Sequence, residues 1–271
     1  MKKKYGLKFD IVKPEDYFLG GGFIGTEEIQ PDGQWDAFLP AEELQNLNKI
    51  ETQNCTAFGT ENCLNILMNK VFHEDKNYSE RFIGIMAGTD PYGGNSPHVV
   101  GESVRHNGVI EEKSLPFSED ITTPEEYYQP KPMNTSRLVE GQKWLRTYSF
   151  KHEWVYSNNP ILEEKIRLIK EALKRSPVGA SVYAWVCDEN GIYYKAGVSN
   201  HWVCIYGWNE HGWKIFDSYD NTYKIYSFNS DIEMAKLYWL KKNPPRKDNW
   251  LSEIVKNVLL LVKDLIFKIK R

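Results

Sequence analysis

Apolar positions in much of this sequence recur every three or four residues, which is the spacing of an α-helix with one buried face. The pattern predicts helices at four places: about 55–70, 78–87, 96–107, and a stretch marked by Leu162, Ile166, Ile169 and Leu173. Asn54 can cap the first of them, and Pro177 ends the last. Residues 88–97 and 111–136 are rich in turn-forming residues and predict loops.

After residue 177 the spacing of apolar positions changes from helical to alternating, which is typical of β-strands. Five strands are predicted, at 178–186, 192–195, 201–208, 213–216 and 222–227. Short turns at 189–191 and 209–212 join neighbouring strands, so they pair antiparallel. Helices in the first part and strands in the second predict an α+β fold with two lobes.

The C-terminal residues 250–271 form an amphipathic pattern in which about one charge per turn interrupts the apolar positions. A membrane-spanning helix needs about 20 mostly apolar residues, so we predict a surface helix rather than a transmembrane segment. Residues 241–248 are a stiff, polar linker before it. Docking on the same chain is the favoured role, and self-association or contact with a membrane surface is the alternative.

Composition excludes several classes of protein. The chain has 271 residues and a formal charge of −3, so it lacks the basic field that nucleic-acid binding requires. Its four cysteines show no Cys-x-x-Cys spacing and no neighbouring histidines, so we predict neither a metal site nor a cofactor. Free thiols and the lack of an apolar run after the basic start predict a cytoplasmic, reducing compartment.

Three residues have the types and placement that nucleophilic catalysis requires. Cys55 lies at the predicted start of a helix, where unpaired N–H groups favour a thiolate. His201 opens a strand, and Asp217 follows the next strand across a hairpin, so the two lie roughly opposite each other. A cysteine at a helix start is more often a small buried apolar residue, and position alone does not assign Cys55 and His201 to catalysis. The remaining cysteines are predicted to be buried in apolar positions and the remaining histidines to be solvated.

Several short motifs resemble those of papain-like cysteine peptidases, in the same order along about residues 35–227. Residues 55–58, Cys-Thr-Ala-Phe, resemble the Cys-Trp-Ala-Phe stretch of that family, with Thr56 in place of the aromatic residue. Residues 172–182 resemble its helix-Gly-Pro-Val-strand segment, 200–208 its histidine strand, and 216–219 its Asn-Ser-Trp element. The separation of Cys55 and His201, 201 − 55 = 146 residues, fits the family's range.

The likeness extends to papain-like peptidases of bacteriophage and bacterial genomes, which share further short stretches around the cysteine. The matching positions are Trp35, Pro40, Glu43-Leu44-Gln45, 79–82 and Gly93-Gly94-Asn95-Ser96-Pro97. The resemblance implies a phage-encoded enzyme acting in the host cell. It also implies a papain-like domain over 35–240, with a helical lobe at about 35–145 and a β lobe at about 146–240. Residues 1–34 would be an N-terminal extension, and 241–271 the linker and final helix.

The resemblance implies a cysteine endopeptidase that acts on a peptide or protein substrate. Cys55 would be the nucleophile, His201 the base and Asp217 the group that orients it, in place of the family's usual asparagine. Gly93, Gly94 and Asn200 would bind substrate. Tyr219 replaces the tryptophan that shields the histidine in the family.

The oxyanion donor and the activity itself remain open at the level of sequence. Gln45, ten residues before the cysteine, is favoured over Gln53, two residues before it, as the oxyanion donor. The rival functions are a catalytically silent papain-like protein that binds peptide, a Cys-His amidase of cell-wall peptides, and a structural partner protein.

Overall fold

The computed structural model describes residues 5–12, 16, 27–129, 133–157, 159–219, 222–245 and 250–269. Half of the predicted N-terminal extension, part of the linker at 246–249, and Lys270 and Arg271 lie outside the described residues. The helices are α1 Cys55–Phe72, α2 Glu80–Ala87, α3 Pro97–Asn107, α4 Pro124–Tyr128, α5 Thr135–Thr147, α6 Leu162–Leu173 and α7 Trp250–Ile269.

Side-chain caps explain where several of these helices begin. The Ser79 hydroxyl accepts a hydrogen bond from the backbone N–H of Phe82 at the start of α2, and Ser96 caps α3 in the same way. Pro97 occupies the first turn of α3, where a missing N–H costs nothing. Asn54 precedes α1, but its side-chain amide donates to the Glu80 carbonyl and the Tyr127 hydroxyl instead of capping. Asn54 therefore links the start of α1 to α2 and α4 by hydrogen bonds.

Seven strands form one sheet in the order β1-β7-β2-β4-β5-β6-β3. They are β1 Tyr148–Trp154, β2 Val178–Val182, β3 Ile192–Tyr193, β4 His201–Trp208, β5 Gly212–Phe216, β6 Tyr223–Ser227 and β7 Ala235–Lys242. All neighbours pair antiparallel except β3 and β6, which are parallel. Helices α1 to α5 and this sheet confirm the α+β, two-lobed fold.

Helix α1 lies at the centre of the molecule, and all of its residues from Cys55 to Met68 are buried. The spacing of apolar residues had predicted one buried face, but this part of the helix is buried on every side. Gly59 allows it to approach β4 closely, because a Cβ there would lie 2.8 Å from the Trp202 ring. This approach brings the first turn of α1 against the beginning of β4.

The structure also contains elements that the pattern of apolar residues did not predict. Strands β1 and β7 pair along seven positions, and helix α5 begins inside the region predicted as a loop. Both strands have buried polar residues, His152 in β1 and Lys236 in β7, which interrupt the alternation of apolar and polar positions that predicts a strand. The prediction that His152 is solvated is therefore wrong, as is the burial predicted for Cys187, which is exposed.

The final helix α7 packs on the helical lobe. Ile254 and Val258 are buried in one apolar cluster with Leu138 of α5, and the Asn257 amide donates to the Gln142 side chain at 3.2 Å. Among the described residues, no helix has an apolar stretch long enough to cross a bilayer. Contact of α7 with a membrane or with a second copy stays a prediction.

Candidate active site

Cys55 is the first residue of α1 and is fully buried. The backbone of Trp202, the residue after His201, and that of Thr56 hydrogen-bond to its sulfur. Burial raises the pKa of the Cys55 thiol well above its ordinary value, and these two hydrogen bonds offset part of the rise. The helix start and the beginning of β4 therefore meet at this sulfur.

His201 is the first residue of β4 and is also fully buried. Its Nε2 lies 2.6 Å from Oδ1 of Asp217. Its Nδ1 has no hydrogen-bond partner among the described residues. If Nε2–H donates to the carboxylate, the Nδ1 lone pair is left to accept a proton. The Tyr219 ring, which stands in place of the shielding tryptophan of the family that the sequence resembles, lies edge-on to the imidazole at 5.3 Å.

Asp217 is buried between two groups rather than one. The second is Lys224 of β6, whose ammonium donates to Oδ2 at 2.8 Å. Burial alone would raise the pKa of Asp217, but His201 and then Lys224 hold it below its ordinary value. Sequence reasoning missed Lys224, although its side chain takes the same alternation in β6 as the buried Tyr226. A lysine at an inward position of a predicted strand is the signal that could have found it.

The two candidate oxyanion donors differ in their surroundings. Gln45 is fully buried; its carbonyl oxygen accepts from the Ser218 hydroxyl at 2.7 Å, and its amide nitrogen donates to Glu51 and to the Tyr219 hydroxyl. Gln53 has a left-handed backbone conformation, with φ of 57°, and lines the cleft between the lobes. Gln45 is thus tied to the Asp217 side of the site, and Gln53 faces the place where a substrate would lie.

The cleft has a volume of about 710 Å³, and its walls include Gly93, Asn200, Gln53 and residues 183–186. Of the residues predicted to bind substrate, Gly93 and Asn200 therefore lie at the cleft. Gly94 adjoins it with a left-handed backbone, φ of 71°. A side chain at position 94 would collide with the chain that passes it, because a Cβ would lie 1.7 Å from the Gly6 carbonyl oxygen.

The chain's own residues 5–8 lie along this cleft. The Gly6 carbonyl accepts from the backbone N–H of Asn95 at 2.9 Å, and the Lys8 N–H donates to the Asn95 carbonyl at 2.8 Å. On the other side, the Leu7 N–H donates to the Asn200 carbonyl at 3.4 Å. The segment therefore runs parallel to residues 94–95 and is bonded on both edges.

Contacts of Tyr5 and Gly6 bring this segment to the candidate catalytic residues. The Tyr5 ring lies 5.4 Å from the His201 ring. Gly6 has φ of 91°, and a Cβ there would lie 2.2 Å from the Gln53 carbonyl oxygen, so only glycine fits. The sequence had predicted an extension outside the domain and gave no signal that part of it lines the cleft.

Comparison with known proteins rests on structure. No protein-family model matches the chain, and no curated protein matches its sequence. Solved structures of cysteine proteases match it. The proform of Amb a 11, a ragweed pollen allergen, is 16% identical with a TM-score of 0.53, over 81% of this chain and 68% of its own. Digestive procathepsin L 3 of Tenebrio molitor is 13% identical, with a TM-score of 0.53, over 87% and 75%.

A bacterial structure matches as well. The cysteine protease and lectin-like domains of Cwp84, a surface layer associated protein of Clostridium difficile, are 14% identical with a TM-score of 0.57, over 76% of this chain and 50% of theirs. These likenesses establish that the chain has the fold of papain-like cysteine proteases. The predicted likeness to phage proteins stays a prediction.

Proposed function

We propose that this protein is a cysteine peptidase in which Cys55 attacks the substrate carbonyl, His201 moves the proton and Asp217 orients the imidazole. The observation that carries the proposal is the position of His201. Its Nε2 is fixed on Asp217, its Nδ1 is unpartnered, and the next residue along the chain touches the Cys55 sulfur. This is the arrangement that an activated thiol needs, and the papain-like fold supports it.

The reaction would proceed through a thioester. The Cys55 thiol gives its proton to Nδ1 of His201, and the sulfur attacks the carbonyl carbon of the scissile bond. The backbone N–H of Cys55 and a glutamine amide stabilise the resulting oxyanion. Gln45 is the donor that the sequence favours, although its amide already donates to Glu51 and to the Tyr219 hydroxyl, and Gln53, which lines the cleft, is the rival donor. The imidazolium returns its proton to the leaving amine, and water then hydrolyses the thioester with His201 as base.

One observation favours a second function. Burial raises the pKa of the Cys55 thiol, and residues 5–7 line the cleft, as a silent peptide-binding protein would also allow. In that case the cleft would hold an extended peptide without cleaving it. Turnover of a peptide substrate separates the two functions.

The test is hydrolysis of a fluorogenic peptide library together with labelling by a peptidyl thiol-reactive probe. We expect Cys55→Ala to lose both hydrolysis and labelling in the cleft. Cys187→Ala is the matched control, because Cys187 is an exposed thiol outside the cleft and its loss should leave hydrolysis unchanged. Hydrolysis that survives in Cys55→Ala would exclude this nucleophile.

A further inference from the structure

Four glutamates from separate parts of the chain converge in the helical lobe, away from Cys55 and His201. We call Glu43, Glu61, Glu80 and Glu112 the glutamate cluster. One carboxylate oxygen from each of Glu43, Glu80 and Glu112 lies within 4.8 Å of the others. Glu61 of α1 lies beside them, since the charges of Glu43 and Glu112 act on it.

The cluster contains buried oxygens that have no hydrogen-bond partner. Glu80 is only 2% exposed, and its Oε1 has no partner among the described residues. Glu112 is half-buried, but its Oε2 is a buried atom that also has no partner among the described residues, and its other oxygen accepts from the backbone N–H of Phe117 at 2.7 Å. Buried acceptors without a donor are costly and are rare in folded proteins, so these oxygens indicate a missing positive partner.

No basic side chain supplies that partner. Within the described part of the chain, no ion pair reaches any member of the glutamate cluster. Arg81 is near Glu112, but its guanidinium donates to the carbonyls of Tyr127, Pro116 and Glu126. Lys76 pairs with Glu74 and Glu111. Burial, and then the neighbouring carboxylates, raise the pKa of Glu80 and Glu61 well above the ordinary value.

A small cavity adjoins the cluster and provides the second line of evidence. It has a volume of about 130 Å³, and Glu43 and Glu61 form part of its wall together with Asp75 and Asn65. Asn65 is only 4% exposed, and its side-chain carbonyl oxygen has no partner among the described residues. The space is large enough for an ion and several waters.

We propose that the glutamate cluster binds a hard divalent cation of the calcium class. Its donors are carboxylate and amide oxygens without nitrogen or sulfur, which is the ligand set of Ca²⁺ rather than of zinc or copper. Calcium also accepts the irregular geometry of carboxylates from three separate elements better than Mg²⁺ does. The ion would join α2 and the turn Glu112–Ser114 to the loop before α1, where Glu43 lies two residues from Gln45.

The experiment uses the full chain after treatment with a chelator. Ca²⁺ is titrated by calorimetry, and the Tm is measured with and without Ca²⁺, with Mg²⁺ as a comparison. At Ca²⁺ about 100-fold above its Kd, we expect the Tm to rise by about 5–10 °C. Glu80→Gln should abolish the Tm response, while the exposed Glu163→Gln should keep it.

The variant Glu80→Gln also removes a carboxyl group whose ionisation burial disfavours, so without Ca²⁺ it should be at least as stable as the chelated parent protein. If Glu80→Gln does not fold, Glu43→Gln, at a half-buried position, replaces it in the same comparison. A parent protein whose Tm does not respond to Ca²⁺, or a response that is equal in the glutamine variants, would overturn the proposal.

Discussion

The candidate catalytic residues and the glutamate cluster bury carboxylates in opposite ways. Asp217 is enclosed by two partners, His201 and Lys224, and its pKa is held below the ordinary value although it is fully buried. The glutamates are buried beside one another, and the pKa of Glu80 is raised well above the ordinary value. Burial acts to raise the pKa of the carboxyl group at both places, so the neighbouring side chains decide whether the carboxylate stays charged. An ionised carboxylate whose charge is balanced by basic side chains can orient a histidine. A group of carboxylates without basic partners can bind a cation.

One loop connects the two regions. Glu43 reaches the glutamate cluster, and Gln45, two residues later, reaches Ser218 and Tyr219 beside Asp217. The position of this loop therefore contributes to both sites.

The largest effect is expected at this loop. Gln45→Ala should lower kcat by about 10²–10³, because it removes a candidate oxyanion donor and the group that fixes Ser218 and Tyr219. Gln53→Ala is the comparison, with a much smaller effect on kcat measured on the same peptide substrate. If the two variants show the reverse order, the oxyanion donor is Gln53.

A change at Lys224 would make the catalytic carboxylate resemble the glutamate cluster. Lys224→Met leaves Asp217 with one partner fewer, so we expect kcat/KM to fall roughly 10-fold and its acid limb to move to higher pH as the pKa of Asp217 rises. The profile of kcat/KM against pH is the measurement.

The double variant Asp217→Asn with Lys224→Met tests the reason for this effect. It removes both charges together, so it should recover part of the activity lost in Lys224→Met and fold normally. A double variant that is no better than either single one would mean that Lys224 does not act by neutralising Asp217.

Sequence patterns predicted the parts of the site that depend on neighbouring residues. Strand His201–Trp208 has the predicted limits, and the short hairpin after it brings Asp217 back to His201. Cys55 opens α1 as the spacing of apolar residues indicated, although the predicted side-chain cap by Asn54 is wrong. These features follow from local periodicity and turn length, which a sequence displays directly.

The features that sequence did not predict all depend on contacts between distant segments. Glu43 and Glu112 are 69 residues apart, 112 − 43, and each is an ordinary polar residue in its own loop. Gly6 reaches Gln53 and Asn95 only because the chain before the domain returns to the cleft. A buried lysine such as Lys236 breaks the alternation of its strand, so the strand itself was missed.

The segment in the cleft gives a test that should raise activity. Gly6→Ala adds a methyl group where there is no room and should displace residues 5–8, so kcat/KM should rise by about 10-fold. Gly191→Ala is the control, because Gly191 also has a positive φ but has open space around it. Equal kcat/KM in the parent and in Gly6→Ala would show that the segment does not compete with substrate.

The smallest expected effect concerns a buried cation, Lys236, which completes the comparison of buried charges. Its ammonium lies 3.6 Å from the centre of the Trp154 ring and 3.0 Å from Nδ1 of His152. Burial lowers its pKa from 10.5 to about 7, although the charges of Asp10 and Asp16 oppose this shift. Between pH 7 and 10.5 the unfolded chain therefore binds more protons at this residue than the folded chain does.

It follows that Lys236 makes the free energy of unfolding increase with pH above 7, by at most about 1.4 kcal/mol per pH unit. Urea unfolding at pH 7, 7.5, 8 and 8.5 measures this slope, below the range where buried tyrosines ionise. Lys236→Met should flatten the slope, and Lys241→Met, exposed on the same strand, should not. An unchanged slope in Lys236→Met would mean that the ammonium keeps its proton in the folded protein. His152 and the carboxylates around Lys236 would then stabilise its charge as effectively as His201 and Lys224 stabilise the charge of Asp217.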